Sequence, residues 1–428
     1  MRKLSAQILA SVALFALAAN NGLAAVPGSP ADRCLAHLRE VAESKSFYWA
    51  WTNPWVRYSP DGDRRCAKEV DGRIVPASYE ETVLDLGGYA RLQVVPRMFY
   101  LDLANVTGSW FPPRFYAANR ATYTAIIRKV WKDYGSMCVF SWHMDHPCTT
   151  NGYSWGNITT QPFRYKCKTH PNVIRAILND EQWPCGDGCI DGKACRAPED
   201  SPRAWFMRQL GEIAEFLDGL RDEKGERIPV ILRYLHEMDG GWFWWGKGCC
   251  SCDEFIALAR MEADYLRRRC GGGQILFAYT PDRTWKQIGQ VGVADGNYLA
   301  WYPGDEYVDI IGYDDYYIGK GDTDEKRRSI FEDAVSKLRK LTAFAQEHGK
   351  VMTLSESGID GSDTYYSTIY RLMTSEGVKA AFFNSWSGKW TLPSTPGGER
   401  DVREFVQRPE VIVVRNLENG KTENKETK

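Results

Sequence analysis

The stretch Pro229-Val-Ile-Leu-Arg-Tyr-Leu-His-Glu-Met-Asp-Gly-Gly-Trp-Phe-Trp-Trp-Gly246 joins an apolar run to a glutamate, a pair of glycines and a cluster of aromatics. Lys350-Val-Met-Thr-Leu-Ser-Glu-Ser-Gly358 has the same order of features around a second glutamate. A short apolar, β-branched run that ends near glycine is typical of a buried strand followed by a loop. Both stretches therefore predict a strand that carries a carboxylate, Glu237 or Glu356, to its exit.

Eight apolar runs of this kind occur along the chain. They are Phe47–Trp51, Arg97–Leu103, Met137–His143, Ile228–Glu237, Gln274–Thr280, Val308–Asp314, Lys350–Glu356 and Ala380–Trp386. Helical periodicity lies between most of them, over 123–134, 203–221, 253–269, 326–348 and 364–376. This alternation predicts a single-domain α/β protein with a (β/α)8 TIM barrel. An open doubly wound sheet is the alternative, but no Gly-x-Gly-x-x-Gly follows the first strand.

Barrel enzymes place their chemistry at the carboxyl ends of the strands. Polar or aromatic residues stand at nearly every predicted strand end here, which packing alone does not explain. Cleavage of a glycosidic bond requires at least two carboxyl groups that face one cleft, and a retaining mechanism needs them about 5–5.5 Å apart. The neighbouring tryptophans offer flat apolar faces to sugar rings.

Composition and the chain ends narrow the class of protein. The net charge of -1 provides no field for nucleic acid or anionic lipid, so we expect neither as a partner. Residues 1–25 combine a basic start, a short apolar middle and small residues, which predicts a signal peptide and a secreted protein, extracellular or periplasmic. No later segment reaches the length of a membrane span. The charged tail 416–428 is predicted to be disordered.

Residues 26–415 form the predicted barrel domain, with an N-terminal extension and a Cys-rich insertion over 144–200. An even number of cysteines, 12, in an exported chain favours disulfides, and we expect disulfides to cross-link the insertion. Zinc is the competing interpretation at Cys185-x3-Cys189 and at Cys249-Cys250-x-Cys252. Neither cluster has a second Cys/His pair at finger spacing, so no metal is predicted.

The chain resembles glycoside hydrolase family 26, whose best-known members are endo-β-1,4-mannanases. Leu235–Gly246 is similar to the acid/base motif of that family, and Ser355-Glu356-Ser-Gly358 to its nucleophile motif. Phe140–Pro147 and Val308–Tyr317 resemble its third and sixth strand ends. The similarity extends from about Phe47 to Trp390. One departure is Ser387, because some family members carry arginine directly after the tryptophan of strand eight.

The resemblance implies a retaining enzyme in which Glu237 is the general acid/base and Glu356 the nucleophile. It also implies that Tyr313 hydrogen-bonds the nucleophile, and that a set of aromatic and imidazole side chains contacts the sugar: His143, His236, Trp242 and Trp386. Asp315 is a candidate partner for a sugar hydroxyl, with a loop cap as the alternative. Our own inference from strand alternation is that Arg233 shares a face with Glu237 and pairs with Glu356, keeping it ionised.

These observations predict a secreted, monomeric endo-β-1,4-mannanase that needs no cofactor and acts on mannan, glucomannan or galactomannan. The same catalytic pair would serve a β-1,3-xylanase or a mixed-linkage β-glucanase, so both remain alternatives. A carbohydrate-binding protein without catalysis is an alternative of a different class. A zinc hydrolase of the His-Glu-x-x-His type is disfavoured, since Gly240 occupies the position of the last histidine.

Overall fold

A computed structural model describes residues 25–52, 67–71, 73–76, 94–107, 116–144, 147, 172–184, 200–294, 296–359, 361–386 and 395–415. Nearly all of the predicted signal peptide, most of the insertion 144–200 and the tail 416–428 lie outside these ranges. The predictions made for them stay predictions. Within the described part of the chain, no helix combines the length and the apolarity that crossing a membrane requires.

Twelve strands are described. They are β1 (Phe47–Thr52), β2 (Ala67–Val70), β3 (Arg73–Pro76), β4 (Val94–Pro96), β5 (Met98–Asp102), β6 (Met137–Ser141), β7 (Val230–Arg233), β8 (Ile275–Tyr279), β9 (Ile310–Asp315), β10 (Val351–Ser357), β11 (Ala380–Ser385) and β12 (Val411–Arg415). The helices are α1 (Pro30–Glu43), α2 (Ala104–Thr107), α3 (Tyr116–Tyr134), α4 (Val173–Asn179), α5 (Pro202–Asp218), α6 (Cys252–Arg269), α7 (Asp324–Glu347), α8 (Tyr365–Met373) and α9 (Pro396–Phe405), with a 3-10 turn at Asp305–Tyr307.

Eight parallel strands close into a barrel in the order β1-β5-β6-β7-β8-β9-β10-β11. The closing pair is β11 with β1, in the register Tyr48↔Phe382 to Trp51↔Ser385. Strand β12 runs beside the first residues of β1 and pairs antiparallel with β4. The predicted (β/α)8 barrel is confirmed, and the closure rules out the open sheet. Each of the eight predicted apolar runs overlaps one barrel strand, and three of the strands, β1, β9 and β10, extend one residue beyond the predicted run.

The helices between the strands begin where local chemistry favours them. Helix α6, predicted over 253–269, is preceded by a capping box in which Ser251 and Glu254 satisfy each other's backbone N–H groups. Arginines occupy its last turn, where the helix dipole favours positive charge. Helix α5 has Ser201 as its N-cap and a proline in its first turn.

Side-chain alternation along the strands produces two apolar cores. Trp49 and Trp51 of β1 point outward and join the larger core between barrel and helices, whereas Tyr48 and Ala50 point into the barrel. The inner core also contains the apolar face of α1, whose Cys34 contacts Met137 at the start of β6. Helix α1 therefore covers the amino-terminal mouth of the barrel, and the opposite mouth is left for polar side chains.

No disulfide joins any two of the six cysteines in the described ranges. Cys34, Cys138, Cys250, Cys252 and Cys270 are free thiols, and burial raises the pKa of Cys34 to about 12. The remaining six, Cys66, Cys148, Cys167, Cys185, Cys189 and Cys195, lie outside the described residues. The disulfides predicted for the insertion stay a prediction.

Candidate active site

The first predicted catalytic residue, Glu237, lies on a turn rather than on a strand. Strand β7 ends at Arg233, and the following turn holds Leu235 at φ 45° and Glu237 at φ 51°. Left-handed backbone in non-glycine residues costs on the order of 1–3 kcal/mol and persists where the surroundings enforce it. Here the N–H of Glu237 donates to the carbonyl of Thr280 at 2.9 Å, which ties the turn to the end of β8.

The second, Glu356, lies within strand β10. Leu354 pairs with Tyr313 and Glu356 with Asp314, so β10 carries one extra residue, Ser355, at this point. Such a bulge changes the direction of the side chains that follow it. Ser355 Oγ donates to Asp314 Oδ1 at 2.6 Å, and Glu356 is 3% exposed. The bulge therefore allows two consecutive side chains to engage the site.

Arg233 links these strand ends. It is fully buried, and its Nη1 and Nη2 donate to Glu356 Oε1 and Asp314 Oδ2. Its Nε donates to Thr280 Oγ1 at 2.8 Å, and Nη1 also meets Ser141 Oγ at 3.3 Å. Burial opposes the charge of Arg233, but Asp314 and Glu356 outweigh burial and raise its pKa. The predicted Arg233–Glu356 ion pair is confirmed.

One carboxylate oxygen from each of Glu237, Asp314 and Glu356 lies within 4.8 Å of the other two. Residues 119 positions apart in the sequence thus meet at the carboxyl mouth of the barrel. Oxygens this close agree with the close carboxyl pair that a retaining mechanism requires. Three carboxylates could also attract a cation, but the guanidinium of Arg233 already pairs with two of them, Asp314 and Glu356.

The two glutamates differ in their surroundings. Glu237 Oε2 accepts from Trp242 Nε1 at 2.7 Å, and a Glu237 oxygen lies within 4.8 Å of a carboxylate oxygen of Asp314. Desolvation, followed by repulsion from Asp314 and Glu356, raises the pKa of Glu237 well above its usual range. Glu356 instead faces the cation of Arg233 and the hydroxyl of Tyr316.

Comparison with known proteins agrees with this geometry. The model of glycosyl hydrolase family 26 matches residues 193–391, which include both glutamates. The part of the chain that carries both glutamates, residues 193–391, belongs to glycosyl hydrolase family 26.

Two curated relatives, both named mannan endo-1,4-beta-mannosidase, support the family assignment. The protein from Bifidobacterium adolescentis is 35% identical over 159 residues, which cover 36% of this chain and 15% of that protein. The protein from Bacillus subtilis is 26% identical over 211 residues, 46% of this chain and 50% of that protein. The matched part thus spans half or less of these relatives.

The solved structure of GH26C from Muricauda sp. covers 90% of this chain and 91% of its own, with a TM-score of 0.67 and 22% identity. At that identity the likeness establishes the fold.

The tyrosine next to the nucleophile is not the one predicted. Tyr316 donates its hydroxyl to Glu356 Oε2 at 2.7 Å. Tyr313 is fully buried in the outer core, edge-on to Trp285, and its hydroxyl has no hydrogen-bond partner among the described residues. On β9, Tyr313 points away from the barrel axis, whereas Tyr316 follows the end of the strand at Asp315, in a loop that returns to the cleft. The role that the family 26 resemblance assigned to Tyr313 therefore passes to Tyr316.

Asp315 is also placed differently from the prediction. Its carboxylate is buried, accepts the N–H of Tyr317 at 2.8 Å and pairs with Arg283 Nε at 3.4 Å. It points to the opposite side of β9 from Asp314, because neighbouring strand residues alternate. Asp315 is a loop cap, which was the alternative, and the structure does not bring it to the carboxylate pair.

The two predicted histidines meet. His143 Nε2 lies 3.2 Å from His236 Nε2, and His143 Nδ1 contacts Asp102 Oδ2. Both rings are buried, and the ring centroids are 4.6 Å apart. His236 immediately precedes Glu237, so the pair lies beside the carboxyl cluster. The structure thus groups both histidines with the candidate site.

The predicted tryptophans border the site. Trp242 is half-buried and hydrogen-bonded to Glu237. Trp386 is also half-buried, and its ring centroid lies 5.8 Å from that of His143. Trp244 and Trp245 are buried underneath, where Trp245 Nε1 donates to the carbonyl of His236 at 2.9 Å. Trp242 and Trp386 thus retain exposed surface for a sugar, while the other two support the loop.

Sequence reasoning did not select Asp314 and Tyr316 as site residues. Strand alternation from Tyr313 offered a signal for Asp314, because every second residue faces the barrel axis. Tyr316 lies past the end of β9, where no periodicity applies, so only the folded loop reveals it.

Proposed function

We propose that this protein is a retaining endo-β-1,4-mannanase. One observation carries the proposal: two carboxyl groups whose oxygens approach within 4.8 Å have opposite electrostatic surroundings. The raised pKa of Glu237 suits a proton donor at neutral pH. The arginine and tyrosine donors on Glu356 suit an ionised nucleophile. The names of the curated relatives support mannan as the substrate.

In the first step, Glu237 gives its proton to the glycosidic oxygen while a carboxylate oxygen of Glu356 bonds to the anomeric carbon. The carbon–oxygen bond to the leaving sugar breaks, and a covalent glycosyl–Glu356 ester remains. Trp242 Nε1 holds Oε2 of Glu237 throughout, which orients the acid. Loss of the Glu237 proton leaves it ready to act as a base.

In the second step, water attacks the anomeric carbon and passes a proton to Glu237. Glu356 leaves as a carboxylate, stabilised by Arg233 and by the hydroxyl of Tyr316. Two displacements at one carbon return the original anomeric configuration. The acid and the nucleophile are then both regenerated.

The proposal is tested with a panel of soluble β-mannan, β-1,3-xylan and mixed-linkage β-glucan, followed by reducing-sugar release and by NMR of the first anomer formed. We expect cleavage of the mannan, a first product of retained β configuration, and internal cuts in mannohexaose. Cleavage of xylan or glucan with mannan left intact would assign the protein to another substrate. An α first product would refute the retaining mechanism.

We also propose that the protein is exported, on the strength of the leader-like composition of residues 1–25. N-terminal sequencing of the protein recovered from the medium or periplasm tests this, with a start at residue 25 or 26 as the expected result. Retention of the intact leader inside the cell would contradict it.

A further inference from the structure

Asp102, at the end of β5, acts only as a hydrogen-bond acceptor. Its Oδ1 accepts from the backbone N–H groups of Ala104 at 2.9 Å and His143 at 3.2 Å, and its Oδ2 contacts Nδ1 of His143. Asp102 and the His143 ring are about 2% exposed. A carboxylate has no proton to give, so Nδ1 of His143 must carry the proton in this contact.

The contact between His143 and His236 is also directional. Two imidazole nitrogens 3.2 Å apart, Nε2 of His143 and Nε2 of His236, can share only one proton. A His143 ring that carries a single proton holds it on Nδ1, beside Asp102, and so presents a lone pair at Nε2. His236 must then donate from its own Nε2, which leaves its Nδ1 unprotonated.

Nδ1 of His236 is buried and has no hydrogen-bond partner among the described residues. Burial, followed by the charge of Arg233, lowers the pKa of His236 well below its usual range, so this ring stays neutral. The backbone of His236 is fixed, because its carbonyl accepts from Trp245. An immobile, unpaired acceptor one residue before Glu237 is costly in the free protein, and a ligand hydroxyl would satisfy it.

We infer that Asp102 is a positioning residue that acts through His143 to keep His236 Nδ1 unprotonated, as an acceptor for a sugar hydroxyl at the cleavage site. The assignment of a sugar as ligand rests on the proposed function, whereas the proton arrangement does not. Carboxylates that fix the tautomer of a functional histidine are known to matter in this way elsewhere, and an Asn in their place reverses the tautomer.

Asp102→Asn isolates this effect from the structural role of Asp102. The amide oxygen can still accept from the N–H groups of Ala104 and His143, so the cap at the end of β5 is kept. The amide NH₂ then faces Nδ1 of His143 and can only donate. The proton of His143 must move to Nε2, which donates to His236, and the remaining proton of His236 moves to Nδ1.

The chain holds six histidines, so ¹⁵N-histidine labelling is practical, with His143→Gln and His236→Gln providing the assignments. We expect the Nδ1 and Nε2 resonances of both rings to exchange their pyrrole-like and pyridine-like positions in Asp102→Asn. We expect kcat/KM on β-mannan to fall by about 10- to 100-fold, in the range of other outer-shell partners of functional histidines. In a His143→Gln background, Asp102→Asn should cause little further loss.

The chain contains a matched control at the other mouth of the barrel. His348 Nδ1 contacts Asp305 Oδ2 at 2.7 Å, the same Asp–His pairing in a half-exposed position. Asp305→Asn should alter the His348 resonances and leave kcat/KM unchanged within about twofold.

Unchanged His143 and His236 resonances in a folded Asp102→Asn would overturn the proton arrangement. Reversed resonances with kcat/KM unaltered would overturn the role of His236 as an acceptor. Additive losses with His143→Gln would show that Asp102 acts structurally. A wild type inactive on every polysaccharide would refute the proposed function, while the spectra would still decide whether Asp102 sets the tautomers.

Discussion

Strands β7 and β10 each deliver one glutamate to the same cleft, but they end in different ways. Strand β7 stops at Arg233, and Glu237 follows on a left-handed turn, half-buried among other carboxylates. Strand β10 continues through Glu356 to Ser357, and its bulge turns Glu356 onto Arg233. The same side chain therefore meets other carboxylates in one place, which raise the pKa of Glu237, and a cation in the other. Backbone geometry decides this, because it selects which neighbours each carboxyl group meets.

Glu356→Ala should have the largest effect. Without a nucleophile no glycosyl ester forms, so kcat on β-mannan should fall by at least about 10⁴-fold, as when a nucleophile is removed from other covalent enzymes. Turnover is measured by reducing-sugar release and binding by affinity electrophoresis in mannan. Retained turnover would show that Glu356 is not the nucleophile.

Glu237→Gln should lower kcat on β-mannan by about 10²- to 10⁴-fold, the usual contribution of a general acid. An aryl mannoside with an acidic phenol leaves without protonation, so its glycosylation step should lose much less. Wild-type activity should fall as pH rises through the raised pKa of Glu237, since the acid then loses its proton. That alkaline limb should be absent in the variant. An equal loss on both substrates would argue against the acid role.

Glu262 shows what burial does to a carboxyl group that has no partner. It is fully buried on α6, neither oxygen has a hydrogen-bond partner among the described residues, and burial raises its pKa from 4.5 to about 8. The folded state thus holds this proton more tightly than the unfolded state. Its contribution to stability is fully present below pH 4.5 and is lost as pH rises towards 8.

Glu262→Gln should remove this loss. One pKa unit corresponds to about 1.4 kcal/mol. The difference in the free energy of unfolding between variant and wild type should therefore shift in favour of the variant by on the order of 4 kcal/mol from pH 4.5 to pH 8. Urea unfolding across this pH range measures it, with Asp253→Asn, an exposed carboxyl on the same helix, as the control. A difference that does not change with pH would mean that Glu262 finds a partner.

Tyr316→Phe should have the smallest effect. It removes one hydrogen bond to an ionised carboxylate, about 1.5–3 kcal/mol, so kcat should fall by roughly 10- to 100-fold. Tyr313→Phe is the matched control, since its hydroxyl has no described partner and its loss should leave kcat within about twofold. A larger loss for Tyr313→Phe than for Tyr316→Phe would restore the role first assigned to Tyr313.

The strands were predictable because parallel barrel strands are buried on both sides and read as apolar runs. The Arg233–Glu356 pair was also foreseen, although the reasoning extended strand alternation to Glu237, four residues past the end of β7. Tyr313 and Asp315 failed for a related reason. Alternation places both of them on the outward side of β9. Tyr316 lies in the following loop, which returns to the cleft and has no regular side-chain alternation.

The sequence by itself determined the barrel, the two glutamates and their location at strand ends, since hydrophobic periodicity and turn residues are local properties. The tertiary structure alone decided which carboxyl keeps its proton, which tyrosine supports the nucleophile and how Asp102, His143 and His236 share their protons. These outcomes depend on contacts between residues far apart in the chain, across distances of a few ångströms that no local pattern encodes.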